Sequence, residues 1–230
     1  MNESNGNTYE KTTDGAAWLR ALEANRLVYP SEFVVRWLSR VRRELPAECN
    51  ALDMGFGSGQ HLKLFMEFGL HAWGTELLEY GCKIGEELLA GQPLAGQIIK
   101  GDLSHPELPL QSFGAFLSWG CLFLKPKEDM QESLHRIADL LMPGGRALFD
   151  LRTRDNWFYG LGVEGPPSHW CLDERAGPYC GGKYTFLDED DVYELIGPID
   201  LEIENLERTD YWKNQLSERH SWWVVQVVRR

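Results

Sequence analysis

Apolar positions recur along the chain in two rhythms. Between Ala16 and Glu44 they fall at helical spacing, with Trp18, Leu19 and Leu22 on one stretch and Phe33, Val34, Trp37, Leu38 and Val41 on a second, separated by Val28-Tyr-Pro30. From Ala51 onward, short apolar runs alternate with helical stretches. The run entering at Ala51-Leu-Asp-Met reads as a first strand, Leu70–Thr75 as a second closed by Glu76, Gln97–Asp102 as a third, Phe113–Gly120 as a fourth and Arg146–Asp150 as a fifth. Between them lie helices at Glu79–Leu89 and Lys127–Met142, the latter with Met130, Leu134, Ile137 and Leu141 on one face and stopped by Pro143-Gly-Gly145. The acidic start of Asp188–Ile196 suits the positive end of a helix dipole. Leu201–Tyr211 and Ser221–Val228, joined by the polar segment Trp212–His220, predict an antiparallel hairpin. Alternation of this kind predicts an α/β fold built on a parallel sheet.

One stretch carries the chemistry. In Asp53-Met-Gly-Phe-Gly-Ser-Gly59, three glycines at alternate positions follow a strand and open a helix, a turn that brings backbone N–H groups close to a ligand. A dinucleotide fingerprint would need a third glycine at position 60, where Gln60 stands. The string D-x-G-x-G-x-G instead resembles the first motif of class I methyltransferases that use S-adenosylmethionine, and the resemblance runs from about Leu52 to Thr153. It implies a Rossmann-like, seven-stranded, mostly parallel sheet in the order 3-2-1-4-5-7-6, strand 7 antiparallel, with helices on both faces. It further implies that Asp53, Gly55, Gly57, Gly59, Glu76, Asp102, Leu103, Ser118 and Trp119 hold S-adenosylmethionine, or its product S-adenosylhomocysteine. Glu76 would accept from the ribose hydroxyls and Asp102 would lie near the adenine amino group. The chain departs from family patterns at two places. Phe113 is followed by Gly114 and not by an acid, and Ser-Trp-Gly-Cys121 stands where many methyltransferases of planar nitrogens carry Asn/Asp-Pro-Pro-Tyr/Phe.

Composition narrows the acceptor. At 230 residues the chain suits one α/β domain, and 35 acidic against 23 basic residues give a net charge of −12, which argues against a nucleic-acid partner. The Arg40, Arg42 and Arg43 cluster reads as a solvated helix end. No apolar run approaches a membrane span, and Met1–Thr8 lacks the apolar core of a signal peptide, so a cytoplasmic protein is expected. The five cysteines are odd in number and form no C-x-x-C pair, which speaks against a disulfide framework, and no metal site is expected around His169, Cys171 and Cys180. A small-molecule acceptor is the expectation that remains.

Residues 152–186 hold six glycines, three prolines and seven aromatics, which fits an ordered excursion better than a flexible linker. Because ligands bind beyond the carboxyl ends of the strands in open α/β sheets, this excursion is expected to wall the acceptor site. Arg152, Trp157 and Tyr184, together with Tyr29 of the N-terminal turn, are the candidate substrate residues; His169 and Tyr159 are the candidate catalytic ones, His169 for its titration range. Trp119, Cys121 and Asp150 lie at the ends of strands 4 and 5 and complete the set. The chain then divides into an N-terminal helical lid or edge (1–45), a cofactor-binding half (46–153), the substrate-side excursion (152–186) and a C-terminal helix and hairpin (187–230), all in a single domain. Transfer from a sulfonium is an in-line displacement that needs alignment more than acid–base groups, so the lack of an obvious triad does not oppose an enzyme. A non-catalytic S-adenosylmethionine-binding or partner subunit, and a nicotinamide-dependent oxidoreductase, are the rival readings.

Overall fold

The computed structural model describes residues 13–24 and 26–230; the polar start Met1–Thr8 lies outside them. Helices α1 (Thr13–Ala24) and α2 (Glu32–Val41) lead into strands β1 (Asn50–Met54), β2 (His71–Glu76), β3 (Ala95–Lys100), β4 (Phe113–Ser118) and β5 (Leu141–Thr153). These five are parallel and lie in the order β3-β2-β1-β4-β5. The crossover helices are α3 (Gln60–Glu67), α4 (Glu79–Leu89) and α5 (Lys127–Leu140), and α6 (Glu189–Ile196) precedes a long hairpin of β9 (Leu201–Lys213) and β10 (Glu218–Arg229). Strand β10 inserts antiparallel between β5 and β9. With β9 as strand 6 and β10 as strand 7, this is the expected 3-2-1-4-5-7-6 order.

The sheet is buried on both sides because each central strand carries apolar side chains on both faces. Leu52, Phe116, Phe149 and Leu151 point toward Met130, Leu134 and Ile137 of α5 and Val192, Leu195 and Ile196 of α6. Ala51, Ala115, Leu117 and Leu148 point the other way, toward Val34, Trp37, Leu38 and Val41 of α2 and Leu62 and Phe65 of α3. Asp53, Asp150 and Arg152 continue this second face outward, so the alternation of side chains along β1 and β5 turns a core face into a polar one at the carboxyl ends.

Four boundaries differ from the sequence expectations. Strand β3 ends at Lys100, so Asp102 lies in the loop beyond it and not at the strand's end. Helix α5 stops at Leu140, and Pro143-Gly-Gly145 bulges out of the start of β5: Phe113 pairs with Leu141 while Ala115 pairs with Arg146. The hairpin strands run further than the apolar pattern does, to Lys213 and from Glu218, because Asn214, Gln215 and Leu216 all take positive φ and confine the turn to those residues and Ser217. Finally, the excursion is itself a sheet. Strands β6 (Val163–Glu164), β7 (His169–Cys171) and β8 (Lys183–Leu187) are antiparallel to one another, and β8 docks parallel to β5 through Arg152–Phe186 and Thr153–Leu187, making ten strands where seven were expected. Since β5 faces β10 across its other edge at Arg152, β8 occupies the edge that β4 leaves open beyond Ser118.

Candidate active site

The glycine turn sits above the carboxyl end of β1. Gly55, Gly57 and Gly59 have φ of 68°, 51° and 75°, in the left-handed region where a side chain is strained. Gly59 is the residue that caps α3, so the helix's first N–H groups point into the turn. A Cβ on Gly55 would lie 2.6 Å from Sγ of Cys121, whereas one on Gly57 would meet nothing closer than 3.7 Å, at Leu22 of α1. Phe56 is wedged against Gly74 of β2 and Gly85 of α4, where a Cβ would meet its ring at 2.4 Å and 2.7 Å, and this holds the turn in register with both elements. Gly55→Ala is expected to lower stability by about 1–3 kcal/mol, through left-handed backbone strain and overpacking against Cys121. In the Gly55→Ala/Cys121→Ala double variant the packing part should disappear. Denaturant unfolding of the parent, of both variants and of Cys121→Ala as the reference for the double variant checks this, and an undiminished Gly55→Ala penalty in the Cys121→Ala background would place the cost elsewhere.

Glu76 closes the turn from the side. Its carboxylate accepts N–H groups from Gly57 (3.0 Å, Oε2) and from Leu77 and Leu78 (2.8 Å and 2.9 Å, both Oε1). Burial pushes its pKa up, against the pull of those three N–H groups, and nearby Asp53 adds to the rise. Asp53 is buried under the turn, where desolvation also raises it; its Oδ2 lies 3.6 Å from Nδ1 of His61 and has no hydrogen-bond partner among the described residues. The Nε2 of His61 accepts the N–H of Ser31 at 3.2 Å, which leaves the ring proton on Nδ1, facing Asp53. Asp150, on the neighbouring face of β5, accepts the N–H of Gly120 at 2.6 Å and is pushed up to about 6 by burial. Cys121 lies between these acids, and burial, then the Glu76 charge, raise its thiol to about 12, so it stays neutral.

The N-terminal segment roofs this group. Leu27 N–H donates to Oγ of Ser58 at 3.0 Å, Ser31 is tied to His61, and Phe33 stacks on Trp119 with ring centroids 5.7 Å apart. Helix α1 lays Leu22 over Gly57 and, one turn earlier, Trp18 against Tyr184 of β8. Tyr29 itself, 85 % exposed, points to solvent and not into the roofed space.

Tyr184 belongs to an aromatic cluster around Arg152. The guanidinium carbon is 4.4 Å from the Tyr184 ring centre, 4.6 Å from Phe123, and 5.2 Å from both Phe158 and Trp222. Trp157 packs on Phe158 and His220. His169 is buried, and its Nδ1 meets Oγ1 of Thr185 at 2.7 Å; because that hydroxyl donates to the Lys125 carbonyl at 2.6 Å, Nδ1 carries the proton. Tyr159 packs edge-on against Trp170 and Phe186 on the excursion and is 41 % exposed.

The structure therefore gathers Asp53, Gly55, Gly57, Gly59, Glu76, Ser118 and Trp119 at the ends of β1, β2 and β4, with Arg152 and Tyr184 in the adjoining cluster. Ser118 is fully buried and its Oγ has no partner among the described residues. Asp102 stands on an exposed loop; burial would raise its carboxyl, but the N–H and Oγ of Ser104, at 2.8 Å and 2.5 Å, hold it below its ordinary range. Leu103 is buried beside it. Sequence reasoning missed the tethers Ser58 and His61, the packing of Leu22 and Trp18, and Phe123 in the Arg152 cluster. The polar residues after the glycines could have signalled the first pair; nothing local in the sequence pointed to the others.

A sheet of this order, with a glycine turn at the first strand and an acid at the end of the second, defines a class I methyltransferase fold. Residues 51–145 of the chain match the family model described as a methyltransferase domain. Among solved structures it is similar to the 1,6-didemethyltoxoflavin N1-methyltransferase of Burkholderia thailandensis, solved with 1,6-didemethyltoxoflavin and S-adenosylhomocysteine (TM-score 0.67, 16 % identity, covering 100 % of this chain and 92 % of that one). It is also similar to the magnesium protoporphyrin IX methyltransferase of Synechocystis with bound S-adenosylhomocysteine (0.65, 15 %, 99 % and 100 %) and to an S-adenosylmethionine-dependent methyltransferase of Methanosarcina mazei (0.64, 15 %, 82 % and 96 %). At these identities the likeness is one of fold. No curated protein matches the chain significantly in sequence.

The residues present fit the cofactor. A Cβ at Gly57 would meet nothing closer than 3.7 Å, Asp53 Oδ2 is a buried acceptor with only the His61 ring near it, at 3.6 Å, and Glu76 sets a carboxylate beside the turn. No group of three or more His, Cys, Asp and Glu that could hold a metal ion occurs among the described residues, and none of their helices is long and apolar enough to cross a membrane.

Proposed function

We propose that the chain transfers a methyl group from S-adenosylmethionine to a small-molecule acceptor. The observation that carries this reading is the left-handed glycine turn clasped by Glu76 and covered by Leu22 of α1, the helix whose Trp18 packs on the aromatic cluster at the end of β5. Gly55, Gly57, Gly59, Asp53 and Glu76 would hold the cofactor, with Ser118, Trp119, Asp102 and Leu103 around its remaining surface. When bound, it supplies a methyl on a positively charged sulfur, open to direct displacement by an acceptor's electron pair. The chain's own contribution is orientation and exclusion of water. Leu22, Trp18 and the stacked Phe33–Trp119 pair cover the site, and in a covered site alignment is worth effective molarities of roughly 10⁵–10⁸ M. Cys121 remains a thiol and does not compete as a nucleophile.

For removal of an acceptor proton, His169, oriented by Thr185, and Tyr159 remain the proposed residues, and Asp150 joins them, being buried at the carboxyl end of β5 beside Gly120. Arg152, Trp157 and Tyr184 form the proposed acceptor wall. All five cysteines are free, which supports a reducing, cytoplasmic setting. Calorimetry of the full chain with S-adenosylhomocysteine and NAD in parallel tests the reading. S-adenosylhomocysteine should bind at least about a hundredfold more tightly, a difference of about 2.7 kcal/mol, and equal or tighter binding of NAD would overturn it.

A further inference from the structure

Arg152 is held in an unusual way. The side chain is buried, burial lowers its pKa, and its Nε and Nη1 have neither water access nor a hydrogen-bond partner among the described residues. No carboxylate of those residues lies within salt-bridge distance of it. Four aromatic rings surround the guanidinium, but they interact with it through their π faces, while its N–H donors project in the guanidinium plane. Ring stacking therefore accounts for the charge and leaves the donors unanswered. A buried donor without an acceptor costs stability, and an apolar side chain of similar size would fill the same cluster without that cost.

We propose that Arg152 recognises the acceptor and that the acceptor carries a carboxylate, an inference that rests on the methyl-transfer function proposed above. The edge of the guanidinium bearing Nε and Nη2 presents two parallel N–H groups, the edge with which Arg175 and Arg208 grip carboxylates elsewhere in this chain, and these match the two oxygens of a carboxylate, with the unanswered Nη1 behind them. Helix α1 links this cluster to the cofactor turn: Trp18 touches Tyr184, and Leu22, four residues or about 6 Å along the helix, covers Gly57. The carboxylate is a handle and not the methylated atom, because oxygens whose lone pairs are engaged by two charged N–H donors are poor nucleophiles; the reacting atom lies elsewhere on the same molecule. A phosphate monoester would satisfy the same donors, but it carries about −1.5 to −2 charges, and the cost of taking an ion out of water rises steeply with its charge. The Asp150 carboxyl, two residues or about 7 Å along the same face of β5, disfavours a dianion further. A cationic amine is excluded from the rings by the guanidinium already among them.

The experiment uses the full chain saturated with S-adenosylhomocysteine, titrated calorimetrically with small aromatic, sugar and aliphatic carboxylates, each paired with its neutral amide. Phenyl phosphate and benzylamine represent the rival charges. At least one carboxylate should bind about tenfold or more tightly than its amide, as expected for one bidentate charged pair. Arg152→Met should erase that preference while leaving S-adenosylhomocysteine affinity within a few-fold of the parent. Should Arg152→Met not fold, Arg152→Lys keeps the charge but loses the fork, and the preference should shrink several-fold. The proposal is overturned if no carboxylate exceeds its amide, if phenyl phosphate or benzylamine binds more tightly than benzoate, or if the preference survives in the variants. Loss of S-adenosylhomocysteine affinity in Arg152→Met would likewise overturn it, by placing Arg152 on the cofactor. If the parent chain fails to bind S-adenosylhomocysteine at all, the methyl-transfer reading itself falls.

Discussion

Replacing Glu76 by alanine is expected to weaken S-adenosylhomocysteine binding by about a hundredfold or more and to lower the temperature of unfolding. A single charged hydrogen bond is worth about 1.5–3 kcal/mol, or about tenfold to a hundredfold in affinity. The loss at Glu76 exceeds one bond because the same carboxylate also orders the cradle: its two oxygens hold the N–H groups of Gly57, Leu77 and Leu78. Alanine leaves those donors in a largely buried place, each at a cost of about 1–3 kcal/mol wherever water does not replace the oxygen. Glu76→Gln separates the two roles. Its remaining amide oxygen can still serve Leu77 and Leu78, while its NH₂ group would face the Gly57 N–H, so stability should recover more than affinity does. Calorimetry and thermal unfolding of both variants are the measurements. Parent-like affinity in Glu76→Ala would leave Glu76 a structural clamp with no part in the cofactor site.

That double duty could not be read from the sequence, although Glu76 itself could. Its distance from Gly59 and its place at the end of an apolar run are local features, and so are the glycine turn and the order of strands and helices, which follow from repeating patterns of apolar residues. What escaped the sequence is set by contacts between distant segments. The Ser31–His61 and Leu27–Ser58 bonds join residues about thirty positions apart, and nothing near either end announces the other. The excursion is legible as ordered because of its aromatics, yet its strands β6 and β7 are two and three residues long, too short for alternation to show. The apolar run predicts a third strand reaching Asp102, two residues beyond its end at Lys100, because Gly101 and Asp102 follow a run whose end the pattern does not mark. Arg152 was visible as a residue near the acceptor. Its enclosure by Phe123, Phe158, Tyr184 and Trp222 required four separate elements to converge, and only the fold supplies that.

Asp150→Asn is expected to stabilise the chain at neutral pH by up to about 3 kcal/mol, and by nothing at pH below about 4. The carboxyl is buried on β5, and desolvation raises its pKa from 3.8 to about 6, with the Gly120 N–H and then Arg152 opposing the rise. A group bound more tightly to its proton in the folded state favours folding fully below its unfolded pKa, and that contribution is lost as pH climbs through the folded one. The parent should accordingly lose stability between about pH 4 and pH 6, by about 1.4 kcal/mol for each unit separating the two pKa values. Asparagine stays neutral throughout, keeps an oxygen for the Gly120 N–H and preserves the shape of the site, so it resembles the protonated acid at every pH. The attraction of Arg152 is already contained in the value of about 6, so it does not reverse the sign. Denaturant unfolding of both chains between pH 4 and pH 7.5 measures the difference directly, and a difference that does not change with pH would mean that Asp150 titrates as an ordinary surface acid. An ionised acid held here at neutral pH, against the stability of the fold, is what a proton acceptor for the methylated group requires. Turnover of Asp150→Asn should therefore fall as its stability rises, once an acceptor is in hand; unchanged turnover would assign proton removal to His169 or Tyr159.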